Sequence, residues 1–208
     1  MSELPSDIFT EPDFDPNTLA NLGPLATMAG TFSGDEGRDV HPVESGSEES
    51  GFVEHYKLEP IDPQTNGPQL LYGLRYHTRI VKPGEIETFH DQVGYWLYEP
   101  ATETVMLTIA IPRGQVAMAT GHAASNARGF EVIATRESLT AGILSNPFLD
   151  AAFTTTSFSM QVDVSQEDAW SYAQTTLLVI RGRPAPFEHT DRNRLVRRAP
   201  ATPNPTAK

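Results

Sequence analysis

The chain has 208 residues, with 15 Lys and Arg against 27 Asp and Glu, a formal charge of −12, and no cysteine. That length suits one domain, and the lack of cysteine excludes disulfides, thiolate metal sites and cysteine nucleophiles. The acidic balance argues against a nucleic-acid binder, and no apolar run reaches the ~18 residues of a transmembrane helix.

Charge is unevenly placed. Residues 1–60 hold 13 acids against Arg38 and Lys57, whereas residues 181–198 hold six arginines against Glu188 and Asp191. The plain reading is a set of solvated acidic loops and a basic surface segment. The functional alternative is that the arginines hold an anionic ligand.

In chain order, residues 1–17, with Pro5, Pro12 and Pro16, read as a flexible acidic arm without a signal-peptide pattern, so a cytoplasmic location is expected. Residues 18–29 read as a short helix capped by Asn17 or Thr18, with Leu19, Leu22, Leu25 and Met28 on one face. From Gly30 the pattern becomes β. Strands are expected over 52–59, 69–81, 86–98, 104–111, 115–121, 129–135, 152–164 and 169–181, each bounded by turn residues such as Lys82-Pro83-Gly84 and Pro112-Arg113-Gly114. Residues 139–149 break this pattern and read as a helical turn or lid. Residues 199–208, with three prolines, read as a disordered tail beyond a single domain spanning 18–198.

Alternation is plain in two strands. Leu70, Tyr72, Leu74, Tyr76 and Ile80 oppose Arg75, His77 and Arg79. Trp170, Tyr172, Leu178 and Ile180 share a face that polar Gln174 and Thr176 interrupt. The loops are too short for helical crossovers, so the strands pair antiparallel. The expected fold is all-β: an antiparallel up-and-down barrel of about ten strands, calycin-like, with a short N-terminal helix. A sandwich is the competing architecture. A barrel of that size is either filled by its own side chains or encloses one small ligand.

The six histidines form no tight metal-binding pattern, and nucleophile elbow, Walker loop and dinucleotide fingerprint are all absent. The most unusual run is Phe89-His90-Asp91-Gln92-Val93-Gly94-Tyr95-Trp96. Alternation puts His90, Gln92, Gly94 and Trp96 on one side, so His90 is either a core histidine or a polar group inside an aromatic pocket. Ile111 opens a hairpin corner with Arg113 at its rim.

These residues carry a family resemblance. The order of elements resembles nitrobindin and its relatives, the haem-binding β-barrels also described as fatty-acid-binding-protein-like. Gly30-Thr31-Phe32-Ser33-Gly34 resembles the family's opening Gly-x-Trp-x-Gly-x-Gly, residues 89–96 its His-Ala-Glu-Ser-Gly-Tyr strand, and residues 182–198 the exit carrying its iron-ligating histidine. The resemblance implies a ten-stranded barrel. In full nitrobindins it also implies haem b held by one histidine, nitric oxide binding and peroxynitrite isomerisation. This chain departs from the pattern: Phe32 replaces the tryptophan, Glu36 replaces a glycine, Val43 stands where a threonine is usual, and His189 falls about one residue late.

The expected function is therefore a nitrobindin-like, lipid-binding type of container for a small hydrophobic or amphipathic ligand, as monomer or homodimer. His90, Gln92, Trp96, Phe32 and Ile111 line its cavity, Arg75 meets a carboxylate or propionate, and His189 is the candidate haem-iron ligand. The alternatives are a ferric haem protein that isomerises peroxynitrite, a fatty-acid carrier, and a packed barrel that acts through its surface. The carrier family's Arg-x-Tyr motif is missing at Arg181-Gly182-Arg183.

Overall fold

The structure, a computed structural model, describes residues 5–207. Ten long strands close into one antiparallel barrel. They are β1 (Gly30–Val43), β2 (Gly46–Pro60), β4 (Gln69–Val81), β5 (Thr88–Glu99), β6 (Thr104–Ile111), β7 (Gln115–His122), β8 (Gly129–Thr135), β10 (Phe153–Gln166), β11 (Ala169–Ile180) and β12 (Phe187–Pro200). The ladder runs β2-β1-β12-β11-β10-β8-β7-β6-β5-β4, and β4 pairs back onto β2 to close it. Two short strands lie outside the ring: β3 (Gln64–Asn66) on β4, and β9 (Ile143–Ser145) on β7. Closure gives every long strand a neighbour on both sides, although β7 and β8 share only the register pair Thr120 and Ile133 among the described residues.

The inward rows are those that alternation marks. In β4, Tyr72, Leu74, Tyr76 and Thr78 are buried while Arg75, His77 and Arg79 are exposed. The barrel bends sharply at β1, whose pairing with both neighbours slips between Ser33 and Arg38. Glycines permit this bulge: a Cβ on Gly34 would lie 2.4 Å from the Arg194 carbonyl oxygen, and one on Gly37 the same distance from the Phe52 ring.

One end of the barrel is plugged. The expected helix over 18–29 divides into α1 (Thr18–Asn21) and a 3-10 turn, Gly23–Met28. Gly23 takes φ 53 and Pro24 follows it, so helical hydrogen bonding stops there. The Asn17 side chain makes no cap bond. The buried face survives the break: Leu22, Leu25 and Met28 are completely buried against Phe32, Trp96 and Trp170. Each such side chain contributes roughly 1.5–3 kcal/mol through its burial.

The C-terminal segment is not a free tail, which corrects the expectation for residues 199–208. β12 continues to Pro200, and Asn204 is buried. The Asn204 side chain accepts from the Thr18 backbone N–H at 3.1 Å and donates to the Pro16 carbonyl and Asp62 Oδ1, both at 2.8 Å. A single amide thus ties the end of the chain to the arm and to the β2–β3 loop. Residues 1–4 of the arm and Lys208 lie outside the described residues. The segment 139–149 supplies β9 and the start of α2 (Pro147–Ala152), whose cap is Asn146, accepting from the Phe148 and Leu149 N–H groups.

Candidate functional site

Opposite the plug the barrel is hollow. A cavity of about 550 Å³ extends from its middle to a mouth lined by Pro42, Lys82, Arg113 and Leu149. This is within the usual size of a small-molecule site. Much of its wall is apolar, from Phe52, Leu107, Ile109, Phe158, Met160 and Leu178.

One wall is ionisable. β1 presents Asp39 and His41 inward, two residues apart, and β12 presents His189 and Asp191 in the same way. Asp39 and Asp191 are direct cross-strand partners, so the four side chains form a two-by-two cluster. Asp39 Oδ1 lies 2.8 Å from His189 Nε2, and Asp39 Oδ2 lies 2.9 Å from His41 Nδ1. Asp191 Oδ2 is 3.7 Å from His189 Nε2 and accepts from the Gln174 amide at 2.8 Å. Burial works against the His189 imidazolium, but the Asp39 hydrogen bond and the Asp191 charge outweigh it and raise its pKa. Asp39 is likewise opposed by burial, and the bond and charge of His189 hold its carboxyl below the usual range. Asp191, desolvated and beside Asp39, is pushed up to about 6 despite the attraction of His189.

The remaining polar groups are anchored. On the β4–β5 wall, Tyr76 donates to the Thr108 carbonyl at 2.9 Å and Gln92 donates to Tyr76 at 2.8 Å. That orientation leaves Gln92 Oε1 as the acceptor 3.3 Å from His90 Nε2 and fixes the Nε2–H tautomer of the ring. Desolvation lowers the His90 pKa, which favours the neutral imidazole. Deeper, the buried Glu54 carboxyl accepts from Thr78, Tyr172 and Asn193, with its pKa raised by desolvation. At the mouth stand Lys82 and Arg113, the latter donating to the Phe89 carbonyl.

The cavity wall includes His90, Gln92, Ile111 and His189. Three other residues expected there lie elsewhere. Trp96 is completely buried below the cavity, its indole N–H donating to the Tyr56 hydroxyl at 3.3 Å. Phe32 belongs to the plug, edge-on to Trp170 and 4.8 Å from the Arg197 guanidinium. Arg75 points outward with its side chain 61% exposed and pairs with Glu59 at 3.3 Å. Its parity in β4, opposite to Leu74 and Tyr76, forbids an inward direction. Sequence reasoning missed Asp39, His41, Asp191 and Glu54. The available signal was Asp-x-His in one strand and His-x-Asp in another, each placing two ligating side chains on one face.

Comparison with known families decides what kind of barrel this is. The family described as "THAP4-like, heme-binding beta-barrel domain" matches residues 21–197. The chain belongs to this family. The nitrobindin-like resemblance of the sequence and the ten-stranded ring agree with that membership. No curated protein matches the chain. Among solved structures, this THAP4-like barrel is similar to Rv2717c from M. tuberculosis, with 20% identity and a TM-score of 0.56. The match covers 89% of this chain and 99% of that one, and at such identity it establishes the fold alone.

Proposed function

We propose that this THAP4-like barrel binds an amphipathic small molecule, its apolar body among the aliphatic and aromatic walls and its polar end at Asp39, His189 and Asp191. The observation that carries this reading is a cavity of about 550 Å³ with an ionisable cluster on one otherwise apolar-lined wall. Two carboxyls flank one imidazolium there, so the cluster favours a cationic or hydrogen-bond-donating end over an anionic one. The fatty-acid carrier reading is weaker for the same reason: Arg113 and Lys82 stand at the mouth, and the deeper wall holds Asp39, Asp191 and Glu54.

Displacement of a fluorescent apolar probe by dodecylamine and by dodecanoate tests this. The amine is expected to bind at least about tenfold more tightly, the effect of one charge-assisted hydrogen bond of roughly 1.5–3 kcal/mol. Equal affinities, or no displacement by either, would sink the reading.

Haem binding with peroxynitrite isomerisation is the second reading, favoured by family membership and by the place of His189 on the cavity wall. The apolar walls suit a porphyrin, and Arg113 and Lys82 at the mouth suit its propionates. The axial position does not fit. An iron ligand must be a neutral imidazole with a free lone pair. His189 Nε2 instead faces Asp39 at 2.8 Å, a gap too narrow for a porphyrin, and its carboxylate neighbours favour the protonated ring. Haemin titration separates the readings: a sharp Soret band lost in His189→Ala supports haem, and a band indifferent to that change counts against it.

A further inference from the structure

The cluster that turns His189 away from a porphyrin has the composition and spacing of a different site. We propose that Asp39, His189 and Asp191, with His41 beside them, bind a single divalent first-row transition-metal ion of the Zn²⁺ class on the inner wall of the barrel.

The donors that meet are one imidazole and two carboxylates, with a second imidazole alongside, a borderline N/O combination that suits Zn²⁺, Co²⁺ or Fe²⁺ better than Ca²⁺ or Mg²⁺. The positions follow from strand geometry. Inward-facing residues repeat every second position, so Asp39 with His41 and His189 with Asp191 each bring two donors to one face, and β1–β12 pairing sets the two pairs side by side. Donor atoms of Asp39, His189 and Asp191 all lie within 4.8 Å of one another. Neighbouring donors are separated by 2.8, 2.9 and 3.7 Å. Metal–ligand bonds of about 2.0–2.2 Å put two tetrahedral donors roughly 3.3–3.6 Å apart. The Asp39–His189 and His189–Asp191 spacings lie on either side of that value, so shifts of about half an ångström would admit an ion to these three, while the His41 ring must turn toward it.

A second observation points the same way. His41 Nδ1 is sealed from solvent and has no hydrogen-bond partner: it is 2.9 Å from Asp39 Oδ2 but off the line that a hydrogen bond requires. A buried ring nitrogen without a partner costs about 1–3 kcal/mol. A turn of the ring toward an ion held by Asp39 would satisfy it. The ion would take the place of the proton now shared between Asp39 and His189, where a porphyrin disc cannot enter. Gln174, donating to Asp191, orients that carboxylate from outside the donor set.

Calorimetric titration of the full chain with ZnCl₂, with Co²⁺ as an optical probe, tests the proposal. One ion per chain is expected, with affinity lowered at least about tenfold by His189→Ala and by Asp191→Asn. The exposed His122→Ala serves as a control that leaves it unchanged, and millimolar Mg²⁺ should not compete. Should either cluster variant fail to fold, side-chain ¹⁵N NMR of the unmutated protein decides: Zn²⁺ must shift the ring nitrogens of His41 and His189 and leave His122 in place. No saturable uptake, uptake indifferent to His189→Ala, or unshifted ring nitrogens would overturn it. The titration needs no organic ligand, so its failure and that of the amphiphile experiment are read separately.

Discussion

Asp39 Oδ1 and His189 Nε2 meet at 2.8 Å across the seam between the first and last strands of the barrel, 150 positions apart in the chain. The contact both ties the seam and decides the state of the one histidine that family resemblance singles out. Its pH window follows from the two shifts. His189 is raised in the folded state, so its contribution is complete below the unfolded value near 6.5 and is lost as pH rises through the folded value. Asp39 is lowered, so its contribution is complete above 3.8 and is lost as pH falls through the folded value.

Asp39→Ala removes both the charge that holds the imidazolium and the carboxylate that faces its Nε2. The His189 pKa should fall, and the ring should become available as a neutral ligand. Haemin titration at pH 7 should give a stronger Soret band than the unmutated protein gives, and urea unfolding should show a loss on the order of 1–3 kcal/mol for the broken pair. An unchanged or weaker haemin spectrum would show that Asp39 is not what obstructs iron ligation.

Asp191 carries the opposite sign. Its carboxyl is pushed up to about 6 from 3.8, so ionising it costs stability as pH rises through the folded value. Asp191→Asn keeps an acceptor for Gln174 and removes the charge. It should stabilise the protein more at pH 8 than at pH 4, by on the order of 2 kcal/mol, seen as a melting-temperature difference that widens with pH. A difference independent of pH would refute this account of the cluster.

Gly94 is the place in β5 where two backbones touch. A Cβ there would lie 1.9 Å from the Thr108 carbonyl oxygen and 3.0 Å from the Tyr76 ring. Gly94→Ala must push β6 away or displace the tyrosine that supports Gln92 and His90. A loss of more than about 2 kcal/mol in chemical unfolding is expected, with weaker probe binding in the cavity. Wild-type stability would mean that the sheet yields more easily than this packing allows.

Arg75→Ala should be nearly silent. Its guanidinium faces water and pairs with an exposed Glu59, a contact worth about 0–1 kcal/mol. Melting temperature and the affinities for both dodecyl ligands should be unchanged. A selective loss of dodecanoate binding would return Arg75 to the ligand.

The sequence by itself determined the class of fold and most of the inward row. Apolar alternation in β4 and β11, with a turn after each run, leaves no room for crossover helices, and local period-two geometry decides which side chains share a face. That rule placed His90 and Gln92 on one face and Arg75 on the other, and it exposed Gln174 and Thr176 as polar interruptions of an apolar row; both line the cavity. Only the tertiary structure decided which end is hollow. His90 and Trp96 share a face, yet six residues along a strand of about 3.3 Å per residue carry one into the cavity and the other into the plug. It alone also brought Asp39 and His41 to His189 and Asp191, because barrel closure pairs the first strand with the last. No local pattern encodes that meeting, and the charge state of His189 depends on it.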